Sequence, residues 1–174
     1  MKPVLVVGAG PVGLMTALAL KFYGIDFRLF EEDREFSSDT KAGTILTRTI
    51  EAFRRYGVDR AVLSKALRLD EIGEIERATN ARRASVLTET LIEETRFPFV
   101  INMPQHHLEP ILADNLSDLP PGVVNLRHKL LSFEQTKDGV IARFETPDGP
   151  RDVEGSYLIA CDGGRSTVRG QLGI

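Results

Sequence analysis

Val4-Leu5-Val6-Val7-Gly8-Ala9-Gly10-Pro11-Val12-Gly13 decides the fold. Its first four residues form a run rich in valine with no polar alternation, the pattern of a strand covered on both faces in a parallel sheet. From Pro11 to Tyr23 good helix formers follow, apolar nearly all round, with Lys21 as the only charge. Such a helix is expected to be sandwiched rather than solvated. Gly24 is placed as its stop, and Phe27 to Phe30 returns as a second strand. The opening is therefore a β-α-β unit, whose crossover should be right-handed. The glycines form a G-x-G-x-x-G between strand and helix, and Glu31 follows at roughly the 20-residue spacing of a ribose-binding acid. Gly8 permits the tight turn, Gly10 lets a pyrophosphate approach the backbone, and Gly13 lets helix and strand pack closely. The helix start offers unpaired N–H groups and about half a positive charge. A dinucleotide is expected on this fingerprint, which includes Pro11 and Val12, with its adenosine ribose on Glu31. The pattern alone does not separate FAD from NAD. The acids Glu31, Glu32 and Asp33 together would repel a 2′-phosphate, which disfavours NADP at this first site.

Composition narrows the partners. The chain has 174 residues, 42% of them hydrophobic, enough for one domain with a buried core and incompatible with global disorder. Lysine plus arginine number 22 against 25 acids, so no basic excess exists to hold nucleic acid or an anionic membrane surface. No apolar run approaches the ~20 residues of a membrane span, and the glycines interrupt the apolar opening of a secretory leader. A single cysteine forms no internal disulfide and suits a reducing compartment, so a cytoplasmic protein is expected.

Further along, a helix is expected over about Thr47 to Tyr56, with Ile50 and Phe53 on one side and Glu51 paired to Arg55. A short helix should run from Asp59 to Leu67. Between Arg68 and Asn102 three strands are candidates: Ile72 to Ile75, Ala84 to Leu87 and Phe99 to Ile101. Leu108 to Leu116 is helical, and Pro110 requires that the helix begin near His106 or His107 so that the proline falls in the first turn. Lys129 to Gln135, Val140 to Thr146 and Arg151 to Val153, joined by the turns Lys137-Asp138-Gly139 and Pro147-Asp148-Gly149-Pro150, make an antiparallel meander. Tyr157 to Cys161 is expected as a buried strand ending on Asp162-Gly163-Gly164.

In these segments the chain resembles the FAD-dependent aromatic hydroxylases, the single-component flavoprotein monooxygenases of the para-hydroxybenzoate and phenol hydroxylase type. The likeness rests on Val6 to Leu14; on Lys41-Ala42-Gly43 with Thr47 to Glu51 and Tyr56-Gly57-Val58; and on Gln105 to Leu112. It continues through Arg127 to Leu131 and Leu158 to Arg169. The resemblance implies an α/β fold, a parallel FAD-binding Rossmann-like sheet with helices and an antiparallel β-meander. Residues 1–174 would be an FAD-binding domain that is incomplete relative to the family, because the family's second flavin motif and substrate sheet come later. The chain is then expected to be a piece of a longer protein, or a short one that needs a partner. The resemblance also implies cofactor contacts at Lys41, Gln105, Leu130, Asp162 and Gly163. Lys41 stands where the family commonly carries arginine, and Glu32 where a basic residue often follows the ribose acid. The implied activity is hydroxylation of a small aromatic, phenolic substrate with FAD, O2 and NADH or NADPH as reductant; no catalytic acid or base is assigned. Two rivals remain open. One is another FAD- or NAD-dependent oxidoreductase on this fold, and the other is a nucleotide-binding module without turnover. Oligomeric state is left open.

Other constellations carry less. Adjacent His106 and His107 lack the i,i+4 spacing of a helical metal site, and His128 is isolated, so no metal is expected. Cys161 is read as a small core residue, Ser166 as a helix N-cap, and Arg82-Arg83 with Glu93 and Glu94 as solvated surface. No Walker lysine follows the glycines, so an ATPase is excluded.

Overall fold

The computed structural model describes residues 2–36 and 43–174, the side chains of 83–86 excepted. The chain divides into two compact units, Met1–Ser38 with Leu112–Ile174, and Asp39–Ile111. The first unit opens with β1 (Val4–Val7), α1 (Pro11–Phe22) and β2 (Phe27–Phe30). β1 is buried along its whole length and runs parallel to β2, Val4 opposite Phe27 and Val7 opposite Phe30. Pro11 starts α1 where its missing N–H costs nothing. At the other end Gly24 takes φ +66°, its N–H reaching Lys21 O while Ile25 N–H reaches Leu20 O. That paired arrangement closes the helix and needs a left-handed residue at Gly24. α1 buries only Gly13, Leu14, Ala17 and Leu18, and leaves Val12 and Phe22 exposed. The expectation of a helix covered all round is corrected: one side of α1 meets the sheet.

The second unit contains β3 (Thr44–Ile45), α2 (Thr47–Arg55), α3 (Asp59–Leu63), β4 (Leu67–Leu69), β5 (Glu71–Glu76), β6 (Ala81–Leu87) and β7 (Val100–Asn102). The chain then enters α4 (Gln105–Asp114), inside which the division between units falls. β7 is the centre of an antiparallel β3-β7-β4 sheet, and β5 with β6 forms a separate two-stranded ribbon. Ile50 and Phe53 of α2 are fully buried, as their spacing predicts. Glu51 does not take Arg55 as its partner; Arg48 Nη1, at 2.9 Å, and Thr95 Oγ1, at 2.7 Å, donate to it instead. The short helix stops at Leu63, and Leu67 already belongs to β4, paired with Asn102. Pro110 lies beyond the first turn, because α4 begins at Gln105. The helix runs on through Pro110 without the bond that an N–H there would give to the preceding turn.

Back in the first unit come β8 (Val124–Asn125), β9 (Lys129–Thr136), β10 (Gly139–Glu145), β11 (Arg151–Gly155), β12 (Tyr157–Ala160) and α5 (Thr167–Leu172). The parallel sheet has the order β12-β1-β2-β8, and the meander the order β11-β10-β9, as the fold reading requires. Val140, Ala142 and Phe144 of β10 join Leu5, Val7, Phe30, Leu130, Val153 and Val168 in one core cluster. Phe30 and Phe144 stack at 4.1 Å between centroids, a contact worth about 0.5–1.5 kcal/mol beyond its buried area. Two features were not legible in the sequence. β8 is only two residues long and is held partly by Asn125 Nδ2 donating to Leu29 O. β12 is not buried as its apolar composition predicts; it is the sheet's edge here, with Tyr157 72% exposed. Among the described residues no helix is long and apolar enough to cross a membrane.

Candidate functional site

Three strand ends build the site. Val7, Phe30 and Ala160 are level across β2, β1 and β12, so Gly8, Glu31 and Cys161 leave the sheet side by side at its C-terminal edge. Gly8 N donates to Phe30 O at 2.8 Å and Cys161 N to Val7 O at 2.7 Å, which locks the three exits together. Open α/β sheets bind ligands at such an edge.

The glycines of the turn do different work. Gly8 has φ +96°, and a Cβ there would stand 2.3 Å from Cys161 O. A Cβ on Gly13 would stand 1.8 Å from Gly8 O and 3.3 Å from the Cys161 Cβ. Both positions are closed by the protein's own backbone. Gly10 is different: at φ −66° and ψ −178° it is extended, a conformation that any residue adopts. Gly10 is the N-cap of α1, gives no side-chain cap, and no acid occupies the first turn. The first intrahelical bond at this end is Leu14 N to Gly10 O at 2.9 Å, so the Val12 and Gly13 N–H groups have no acceptor within the helix. That turn presents donors and partial positive charge.

Glu31 faces the same turn. Its Oε2 accepts from Ala9 N at 2.6 Å and its Oε1 from Asp33 N at 3.1 Å. Its backbone is pinned too, Glu31 N donating to Asn125 O and Glu31 O accepting from His128 N. Each carboxylate oxygen keeps acceptor capacity after one such bond, which suits ribose hydroxyls. The link from Glu31 to the Ala9 N–H escaped sequence reasoning, because the spacing gives the acid's position but not which loop amide it meets. Glu32 points elsewhere and lies 3.5 Å from Lys129 Nζ, an exposed pair.

Asp162 and Gly163 follow Cys161 directly. Asp162 Oδ2 accepts from Val168 N at 3.1 Å, and Ser166 Oγ caps α5 by accepting from Arg169 N at 3.0 Å. Gly163 takes φ +72°, which the turn requires. Cys161 lies just past β12 and is half-buried, with its sulfur 3.8 Å from Thr16 Oγ1. Burial raises its thiol above the ordinary value, which favours the neutral form over the thiolate.

The remaining expected residues do not converge in the same way. The Leu130 side chain is buried in the core cluster, so only its main chain remains to meet a ligand. Gln105 belongs to the second unit, where its Nε2 donates to Glu109 Oε1 at 2.6 Å. Lys41 lies outside the described residues. His106 and His107 pack ring edge to ring face, and no group of three metal-ligating side chains occurs among the described residues.

A family model described as FAD binding domain matches residues 1–174. The chain belongs to that family. Relatives that it matches are named as monooxygenases. Anhydrotetracycline monooxygenase of Streptomyces rimosus is 33% identical over 171 residues, covering 98% of this chain and 32% of the relative. Para-nitrophenol 4-monooxygenase of a Pseudomonas strain is 28% identical over 171 residues, covering 98% of this chain and 42% of the relative. Among solved structures, p-nitrophenol 4-monooxygenase of Pseudomonas putida superposes with a TM-score of 0.90 at 28% identity, covering 99% of this chain and 44% of that one. A ternary complex of aklavinone-11 hydroxylase with FAD and aklavinone superposes with a TM-score of 0.85 at 31% identity, covering 99% and 35%. The FAD binding domain thus spans about a third to two-fifths of these relatives and corresponds to their N-terminal, FAD-binding part. The motif resemblance and the α/β fold reading are borne out. The donor set also fits the cofactor: uncapped amides for a pyrophosphate, and a fixed carboxylate for a ribose.

Proposed function

We propose that this chain is the FAD-holding part of a flavin-dependent monooxygenase that hydroxylates a small aromatic substrate, using O2 and NADH or NADPH. The observation that carries the reading is the Glu31 carboxylate fixed 2.6 Å from Ala9 N, beside the uncapped start of α1. On this reading Val12 and Gly13 donate to the pyrophosphate, and Gly8, Gly10 and Pro11 keep the backbone close to it. Glu31 accepts from the adenosine ribose, with Glu32 at the rim. Asp162 and Gly163 approach the same cofactor from the neighbouring strand end, and Leu130 contributes its main chain. Gln105 and Lys41 keep the cofactor contacts that the family resemblance implies. Residues 1–174 then act as one FAD-binding domain with a Rossmann-type sheet. Bound FAD supplies the redox and oxygen chemistry. The chain's residues bind, orient and exclude water, and none is assigned as a catalytic acid or base. The single cysteine supports a cytoplasmic setting.

Titration with FAD, followed by flavin fluorescence and visible absorbance, tests the cofactor half of the proposal. Saturable binding with a perturbed flavin spectrum is expected; binding of NAD in place of FAD would overturn it. Consumption of NADH or NADPH and O2 by the whole protein, stimulated by a member of a phenol panel with a hydroxylated product, tests the other half. Reductant use without any hydroxylated product across the panel would count against a monooxygenase.

A further inference from the structure

Arg127 holds a backbone conformation that arginine rarely takes. Its φ is +59°, and the other described non-glycine residue with positive φ is Asn80, in the turn between β5 and β6. Asparagine visits this region readily because its short side chain bonds locally; arginine does so only where the surroundings hold it. Here the loop of the candidate ribose acid holds it. Arg127 N donates to Asp33 O at 3.0 Å, and His128 N to Glu31 O at 2.7 Å. A glycine would make the same turn without strain, so the turn itself does not call for arginine.

The sheet order says what stands nearby. Phe30 is level with Asn125, so the chain leaves β8 at the same C-terminal edge where Glu31 leaves β2. Along that edge the order is β12-β1-β2-β8. A pyrophosphate at the glycine turn after β1 and a ribose at the acid after β2 lay the nucleotide across the edge toward β8. The group beyond the ribose is the base, one strand spacing of about 4.8 Å further on. Arg127 is exposed and forms no ion pair among the described residues, whereas Glu32, next to the acid, has Lys129. A guanidinium is planar and weakly hydrated, and it stacks on aromatic faces.

We propose that Arg127 is a binding residue for the adenine of FAD, its guanidinium lying against the face of the base. This inference rests on the reading of Glu31 as the ribose acid.

FAD affinity by flavin fluorescence, together with the Tm of the apoprotein, tests it in Arg127→Gly, Arg127→Lys and Glu31→Ala. Arg127→Gly should weaken FAD binding roughly threefold to tenfold, the size of one cation–π contact. Its apoprotein Tm should stay level or rise, because glycine relieves the backbone. Arg127→Lys keeps the charge and the strain but loses the plane, so it should recover at most part of the affinity. Unchanged FAD affinity in Arg127→Gly, with Glu31→Ala weakened, would overturn this inference and leave the ribose reading standing. Unchanged affinity in Glu31→Ala would remove the ribose reading and this inference with it. A fall in apoprotein Tm in Arg127→Gly would assign the residue to the fold, and full recovery in Arg127→Lys would replace the stack by a plain charge; either overturns the inference.

Discussion

The C-terminal edge of the parallel sheet and the β5-β6 ribbon are both strand ends and turns, yet residue type means different things in each. At the sheet edge, backbone touches backbone: Gly8 and Gly13 stand where a single added carbon would meet Cys161 O or Gly8 O. Along β5 of the ribbon every residue is half-buried or exposed. Ile72 and Ile75 are three residues apart, so strand alternation sends them to opposite faces, and both are exposed. The register shift between Glu74 and Ile75 breaks any regular stripe. Close packing makes a position readable, and exposure makes it permissive.

The largest expected effect is at Gly13. Gly13→Ala should destabilise the protein by at least about 3 kcal/mol, since the new Cβ meets backbone that cannot yield. Chemical denaturation measures this, and a parental midpoint would break the contrast. Gly10→Leu should separate ligand from fold. Its extended backbone accepts any residue, so the apoprotein should stay within about 1 kcal/mol of the parent while FAD affinity falls at least roughly a hundredfold. Retained flavin colour would displace the pyrophosphate from this turn.

Glu51 offers a pH test of the second unit. The Thr95 hydroxyl, and then Arg48, hold its carboxyl below the ordinary value of 4.5. A depressed folded pKa contributes stability above the unfolded value, and that contribution is lost as pH falls through the folded value. The stability difference between parent and Glu51→Gln should therefore be constant well above pH 4.5 and shrink on acidification below it. A difference that grows toward low pH would reverse the assignment. The smallest effect belongs to the ribbon: Ile75→Thr, at a side chain 60% exposed, should change stability by no more than about 0.5 kcal/mol. A larger loss by the same denaturation measurement would show that the ribbon is packed after all.

The same contrast explains what could be read in advance. The G-x-G-x-x-G turn, the helix stop at Gly24, and the β10 alternation of Val140, Ala142 and Phe144 each follow from local sterics or period. The misses share a cause. The Thr95 bond to Glu51, the end of α3 where Leu67 pairs with Asn102, and the edge position of β12 all depend on which distant segment lies alongside. In the site, the spacing of Glu31 was legible, but its bond to Ala9 N, the core burial of Leu130 and the tie from Glu109 to Gln105 were not.

By itself the sequence determined where the chain must turn tightly, where it must pack backbone on backbone, and that an acid follows the second strand. These depend on φ, volume and spacing, which are properties of a few neighbouring residues. Only the tertiary structure decided that Glu31 grips the glycine turn, that Leu130 faces the core, and that the Arg127 main chain meets the loop after β2. Those outcomes depend on which atoms meet across the fold, and no local pattern contains them.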